Sequence, residues 1–381
     1  MRNSRLVLSA CIAGNFLFLV QLLWAVPIFA MQVRGGTETK ASVLVVTKIH
    51  SPSLEGNKLG DSADQEVAIY LPPSYQSRDT ARFPSVYLLH GFNGNIRQWT
   101  TSGFQGLNLR RSMNTLIREG KIKEMIIVVP NGDNAYQGSF YTNSSVTGNW
   151  EDSVVRDLVS YVDTHYRTIR SAESRGIAGH SMGGYASIVI GMKQPDVFGT
   201  VYAMSPCCMI MEADMTADQN PAWKKALGIK DRGKLVKDPE TIDDFYVDAI
   251  IALPAAFSPN PQKGPLFVDF PYADQAGKLV TKEPGWSEWE QKMPTVIEPE
   301  FKDNLKKLHG LWIECGIQDD FPHIPLGVRA LPAELTRDGV PHVVAVYTGD
   351  HQDHIRERLE TSALPFFSRV LKSSDVPDAS H

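Results

Sequence analysis

The chain has 381 residues, 43% of them hydrophobic and 21% charged, with a net charge of −5. That length allows a sizeable core, in one large α/β domain or two modest ones. The mild acidity lacks the basic face that a nucleic-acid partner requires, and no repeat, heptad pattern or low-complexity tract interrupts the sequence.

Arg2 and Arg5 precede an apolar stretch from Leu6 to Ala30. A basic start, a long apolar middle and a small final residue read as a secretory signal cut near Ala30. The same stretch is long enough for an uncleaved membrane anchor, for which about 20 residues suffice. Pro27 and Ala30 favour cleavage, hence a secreted or periplasmic protein, tied to a membrane only if residues 1–30 are kept. Beyond that segment the cysteines are Cys207, Cys208 and Cys315. Two are adjacent and the third stands alone, which is no disulfide framework; they read as small buried hydrophobes. No Cys/His spacing suggests zinc.

Residues 31–41 are a polar spacer. Ala41–His50 and Glu66–Leu71 then read as an opening strand pair, ended by Pro72-Pro73. Val86–Leu89 and Met125–Val129 are apolar runs bounded by turn residues, as in strands buried on both faces. In 151–166 the residues Val154, Val155, Leu158, Val162 and Tyr166 recur at helical spacing. Ile177–Ala178 is a short strand, and Met182–Lys193 a helix stopped by Pro195. Val201–Met204, Leu311–Cys315 and His342–Tyr347 add strands; Leu326–Arg337 and Ile355–Val370 add helices. Eight strands alternating with crossover helices predict an α/β fold with a mostly parallel sheet covered on both faces. Residues 209–305 break this rhythm with Pro, Trp and charged residues and only short periodic pieces such as Asp243–Leu253. A stretch of that length inside a domain is usually functional or carries helices of its own. It reads as a lid or cap inserted over the carboxyl edge of the sheet, so that 42–372 form one domain.

The chemistry concentrates at G-I-A-G-H-S-M-G-G-Y-A, residues 176–186. Gly179-x-Ser181-x-Gly183, after an apolar run and before a helix, fits a nucleophile elbow that holds Ser181 on a strained turn. The helix amino end, pointed at the site, favours an oxyanion. A serine hydroxyl needs a base, and the base an orienting acid. In this arrangement both follow the serine, acid before histidine, just beyond later strands. G-I-Q-D-D-F after Leu311–Cys315 offers Asp319 and Asp320; T-G-D-H-Q-D-H after His342–Tyr347 offers His351 and His354. Two backbone amides must hold the oxyanion. Met182 follows the nucleophile, and Phe92, in L-L-H-G-F, is the second donor. Tyr141 and Trp150 follow a strand end and either line a substrate pocket or pack in the core.

V-Y-L-L-H-G-F-N-G-N, the elbow G-H-S-M-G-G, N-W-E-D before a long helix, and G-x-x-D followed by G-x-H together resemble the esterase D-like family of α/β-hydrolases. That family includes S-formylglutathione hydrolases, feruloyl and acetyl esterases, siderophore esterases and mycolyltransferases. The likeness covers roughly residues 42–205 and 308–370. It implies the α/β-hydrolase fold and a Ser–Asp–His triad, and its motifs select Asp319, three after Gly316, and His351, two after Gly349. Where the family usually has an aromatic cluster after the histidine, this chain has Gln352-Asp353-His354. The expectation is a serine esterase acting through an acyl-enzyme on a small-molecule or glycan ester, with no metal or organic cofactor. The alternative is acyl transfer to a sugar or alcohol, as in mycolyltransferases; a silent binding protein would not need all three triad positions.

Overall fold

The computed structural model describes residues 41–101, 103–236 and 239–373. The segment read as a signal or anchor, residues 1–30, and the spacer up to residue 40 lie outside the described residues.

The main elements are, in chain order, β1 (Val43–His50), β2 (Asp64–Leu71), β3 (Ser85–Leu89), α1 (Leu109–Arg118), β4 (Ile126–Pro130) and α2 (residues 150–165). There follow β5 (Arg175–His180), α3 (Met182–Lys193), β6 (Thr200–Met204), α4 (Ile242–Phe257), α5 (Pro294–Leu305), β7 (Gly310–Gly316), α6 (His323–Arg337), β8 (Val343–Tyr347) and α7 (residues 355–370). The eight strands form one sheet in the order β1-β2-β4-β3-β5-β6-β7-β8. β2 runs antiparallel to β1 and β4; every other neighbouring pair is parallel. This is the α/β-hydrolase architecture, and each of the eight strands lies where the apolar runs predict one.

Alternation along the strands sorts side chains into two layers, because successive residues of a strand point to opposite faces. Tyr87, Leu89, Ile126 and Val128 join the core beneath α2 and α3, with Val154, Leu158, Ile188 and Met192. Val86, Leu88, Ile127 and Val129 face the other way, against Leu109, Met113 and Leu116 of α1 and Leu359, Leu364 and Phe367 of α7. Central strands β3 to β6 are buried at every residue, which is why β3, β4 and β6 read as continuous apolar runs. β8 at the sheet edge leaves Val343, Val344 and Val346 exposed.

Residues 209–305 are well structured. Thr241 caps α4 by accepting the Asp244 amide, and ten residues from Val247 to Phe257 are buried. Trp223, Tyr272, Trp286 and Trp289 contact one another, and Trp289 Nε1–H donates to Ser258 Oγ at 2.9 Å. The segment is tied to α3 through Tyr185 O–H and the Lys292 carbonyl, 3.0 Å apart. These aromatic contacts replace the helical periodicity that the sequence lacks here.

Candidate functional site

β5 delivers the chain into Ser181, whose backbone sits at φ 56°, ψ −115°. A positive φ outside glycine is uncommon and costs on the order of 1–3 kcal/mol unless its surroundings hold it. Here they do. The Ser181 amide donates to the Met204 carbonyl at 3.0 Å, and its carbonyl accepts from Tyr185 N–H and Cys207 N–H. A Cβ on Gly179 would stand 2.3 Å from the Gly183 carbonyl carbon, and one on Gly183 would stand 2.5 Å from the Leu89 oxygen. The glycine spacing is therefore steric, as the tight strand–turn–helix requires. Ser181 caps α3, so the positive end of that helix faces the serine.

The loop after β3 closes against this turn: a Cβ on Gly91 would lie 3.4 Å from Ser181 Cβ. His90 fastens the loop. Its Nδ1–H donates to the Gly91 carbonyl at 2.8 Å, and its Nε2 accepts the Gly132 amide at 2.7 Å. Its own amide donates to the Tyr141 hydroxyl at 3.1 Å. Full burial holds the imidazole down to about 4, only partly offset by the bond to Gly91, so the ring is neutral. Gly91 N–H donates to Gln98 Oε1 at 3.1 Å, and Trp99 Nε1–H to the Leu89 carbonyl at 3.1 Å. Phe92 then stacks on Phe140 and meets Phe245 edge-on. Met182, the first residue of α3, is fully buried beside it.

The ends of β7 and β8 come together because neither has a side chain in the way. A Cβ on Gly316 would be 2.3 Å from the Gly349 oxygen. Ile317 N–H donates to the Tyr347 carbonyl and Gln318 N–H to the Gly349 carbonyl. This juxtaposes Asp319 and His351: His351 Nδ1–H reaches Asp319 Oδ1 at 3.0 Å and Oδ2 at 2.9 Å. The Asp319 side chain is wholly buried and also accepts the Phe321 amide at 3.1 Å. Asp320 is exposed. His354, at φ 61°, is exposed and bonds Glu357. Of the four alternatives, Asp319 and His351 meet, and Asp320 and His354 do not join them.

Ser181 and His351 line one cleft together with Gly91, Phe92, Gln98 and Asp320. A second cavity opens beside Ser181. Its walls include Phe92, Phe140, Trp223, Phe245 and Phe321. Of the two readings for Tyr141 and Trp150, pocket lining is corrected and core packing is what the structure has. Both are fully buried and belong to neither cavity. Tyr141 is spent on His90, and Trp150 Nε1–H donates to the Thr147 carbonyl at 2.8 Å.

Sequence reasoning missed several residues. His180, the residue before the serine, donates from Nε2 to the His351 carbonyl at 2.8 Å and packs its ring on His351. Burial first, then the charge of His351, holds it well below the ordinary histidine range. Its place inside G-H-S-M-G was the available signal. Gln98 and the Asp214–His323 pair carried none, since their partners lie far off in sequence. Among the described residues, no group of three or more His, Cys, Asp and Glu could hold a metal ion. No helix there is long and apolar enough to cross a membrane.

The profile of the family described as "Putative esterase" matches residues 61–248. An endo-1,4-beta-xylanase/feruloyl esterase of Xylanibacter ruminicola is 31% identical over 140 residues, 35% of this chain and 18% of that protein. An esterase of Mycobacterium tuberculosis is 30% identical over 131 residues, 33% of this chain and 26% of its own length. The match thus spans about a quarter or less of these two relatives' own length. A solved ferulic acid esterase superposes with a TM-score of 0.58 over 87% of this chain and 99% of that one, at 20% identity. That is a likeness of fold.

Proposed function

We propose, from the premise that this chain belongs to the esterase family whose profile it matches, that it is a serine hydrolase of carboxylic esters. Ser181 Oγ attacks the ester carbonyl while His351 Nε2 takes its proton and returns it to the leaving alcohol. Asp319 holds Nδ1–H and so fixes the tautomer that leaves Nε2 free to act as base. The amides of Phe92 and Met182 hold the tetrahedral oxyanion. Water, activated by the same histidine, then releases the acid from the acyl-enzyme. The observation that carries this reading is the buried Asp319–His351 pair at the cleft that Ser181 also lines, with Ser181 strained.

The aromatic cavity beside Ser181 suits an apolar acyl group, and the 209–305 segment, which supplies much of its wall, serves as the cap. The substrate is a small-molecule or glycan ester. No metal or organic cofactor takes part in these steps. Export through residues 1–30 is proposed from the sequence alone.

Replacing the nucleophile tests the reading. Ser181→Ala lowers kcat on p-nitrophenyl acetate by on the order of 10⁶-fold, by analogy with other triads, and abolishes labelling by a fluorophosphonate. Unchanged turnover in that variant overturns the proposal.

A further inference from the structure

Beyond β6 the chain runs Ser205-Pro206-Cys207-Cys208. Consecutive side chains of an extended segment point to opposite sides. Here they do not. Cys208 takes φ 57°, a value uncommon outside glycine, and both cysteines line the cavity that Ser181 also lines. Their sulfurs are 2.7 Å apart, against about 2.05 Å in a bonded pair. Both are free thiols and buried, Cys207 8% exposed and Cys208 2%. Burial first, then Cys207, pushes the Cys208 thiol well above its usual range, so it keeps its proton. Cys315, the other cysteine among the described residues, lines neither cavity. The steps assigned to Ser181, His351 and Asp319 use neither sulfur of the pair.

Two thiols in contact act together as one two-electron donor. A sulfenic acid formed on one sulfur condenses with a thiol beside it to give a disulfide. Consecutive Cα atoms are about 3.8 Å apart, below the roughly 4.4–6.8 Å that an ordinary disulfide spans. A ring closed between neighbours is therefore strained, and strained disulfides are the ones readily reduced again. The pair is also tied to the nucleophile. Cys207 N–H donates to the Ser181 carbonyl at 3.2 Å, one of the bonds that hold the elbow in its strained conformation.

We infer that Cys207 and Cys208 form an oxidative modification site, which takes a small hydroperoxide and closes to a disulfide between the two neighbours. Closure lowers turnover at Ser181 until a thiol reductant reopens the ring. Cys207 Sγ, the more exposed of the two, attacks one oxygen of hydrogen peroxide. The O–O bond breaks, and the leaving oxygen departs as water with the thiol proton. Cys208 Sγ then attacks the Cys207 sulfur. The S–O bond breaks as the S–S bond forms, and a second water carries off the Cys208 proton. The two sulfurs lose two electrons and the peroxide gains them. Closure draws Cys207 towards Cys208, away from the Ser181 carbonyl that its amide holds. The effect on turnover rests on the proposed role of Ser181; the covalent change does not.

The test treats the full chain with hydrogen peroxide, removes the excess with catalase, and follows mass and turnover together. Non-reducing digestion is expected to show the tryptic peptide 194–224, which carries Cys207 and Cys208 and no other cysteine, lighter by two hydrogens. Turnover of p-nitrophenyl acetate is expected to fall roughly 10-fold, since a misplacement of about 1 Å at a reacting group costs on the order of 100-fold. Dithiothreitol restores both. Cys207→Ala and Cys208→Ala, each measured against its own untreated activity, lose this sensitivity, whereas Cys315→Ala keeps it. If one of the pair variants does not fold, the other carries the comparison. Absence of the internal link, or a loss that dithiothreitol does not reverse, overturns the site. Sensitivity retained in the pair variants assigns the loss to another residue and overturns it as well. A link formed with turnover unchanged overturns its effect on Ser181. A link formed in a protein that shows no turnover even untreated overturns the esterase reading and leaves the modification site standing.

Discussion

At the scale of single residues, the site turns on which of two neighbours is used. Asp319 is buried with both oxygens on His351, while Asp320, one residue on, is exposed. Asp319→Asn would present an amide to Nδ1 and favour the wrong tautomer, so kcat on p-nitrophenyl acetate is expected to fall by about 10³–10⁴-fold. Asp320→Asn is expected to stay within a few-fold of wild type and within about 0.5 kcal/mol in stability. Equal losses in the two variants would refute the assignment. The motif spacing already favoured Asp319 and His351, and the structure supplies the reason: Gly316 and Gly349 let the two loops touch. Tyr141 was left between pocket and core because its partner, the His90 amide, lies 51 residues away and leaves no local trace. Only the fold makes such a pair visible.

At the scale of elements, strands buried on both faces and the amphipathic α2 were legible because their apolar content has a period or a sharp boundary. Helix α3 could be placed to the residue, Met182–Lys193, because the elbow starts it and Pro195 stops it. α1 went unread although its signal was present: Asn108 caps it by accepting the Arg111 amide, and its buried Leu109, Ser112, Met113 and Leu116 fall at helical spacing. The elbow itself makes a sharp prediction about substitution. Gly179→Ala puts a methyl 2.3 Å from backbone that cannot retreat, so the variant is expected to lose soluble yield or at least about 3 kcal/mol in urea unfolding, the upper range for overpacking. Gly228→Ala is the control. Nothing lies within 4 Å of its Cβ and its φ is not positive, so it is expected to be neutral or stabilising by up to about 1 kcal/mol. Similar losses at both positions would mean that the elbow glycines are not held by the contacts described here.

At the scale of the molecule, residues 209–305 were the least legible part, because their helices are held by aromatic contacts between distant residues and not by an amphipathic repeat. The same long-range burial also sets how stability responds to acid. His90 is fully buried and neutral, held down to about 4 by burial, whereas an unfolded histidine titrates near 6.5. Between those values the unfolded chain takes up a proton that the folded chain refuses, so stability falls as pH falls and is unaffected above that window. At about 1.4 kcal/mol per pKa unit, the His90 share of that loss is roughly 2–3 kcal/mol between pH 7.5 and 4.5. His180, shifted the same way by burial and by His351, adds to it. His90→Gln keeps an acceptor for the Gly132 amide but cannot titrate. It is therefore expected to be less stable than wild type at pH 7.5 and to lose less on acidification, by that 2–3 kcal/mol, in urea unfolding at the two pH values. Parallel losses in both proteins would show that His90 takes up its proton in the folded state, and that the loop beside Ser181 tolerates a charge.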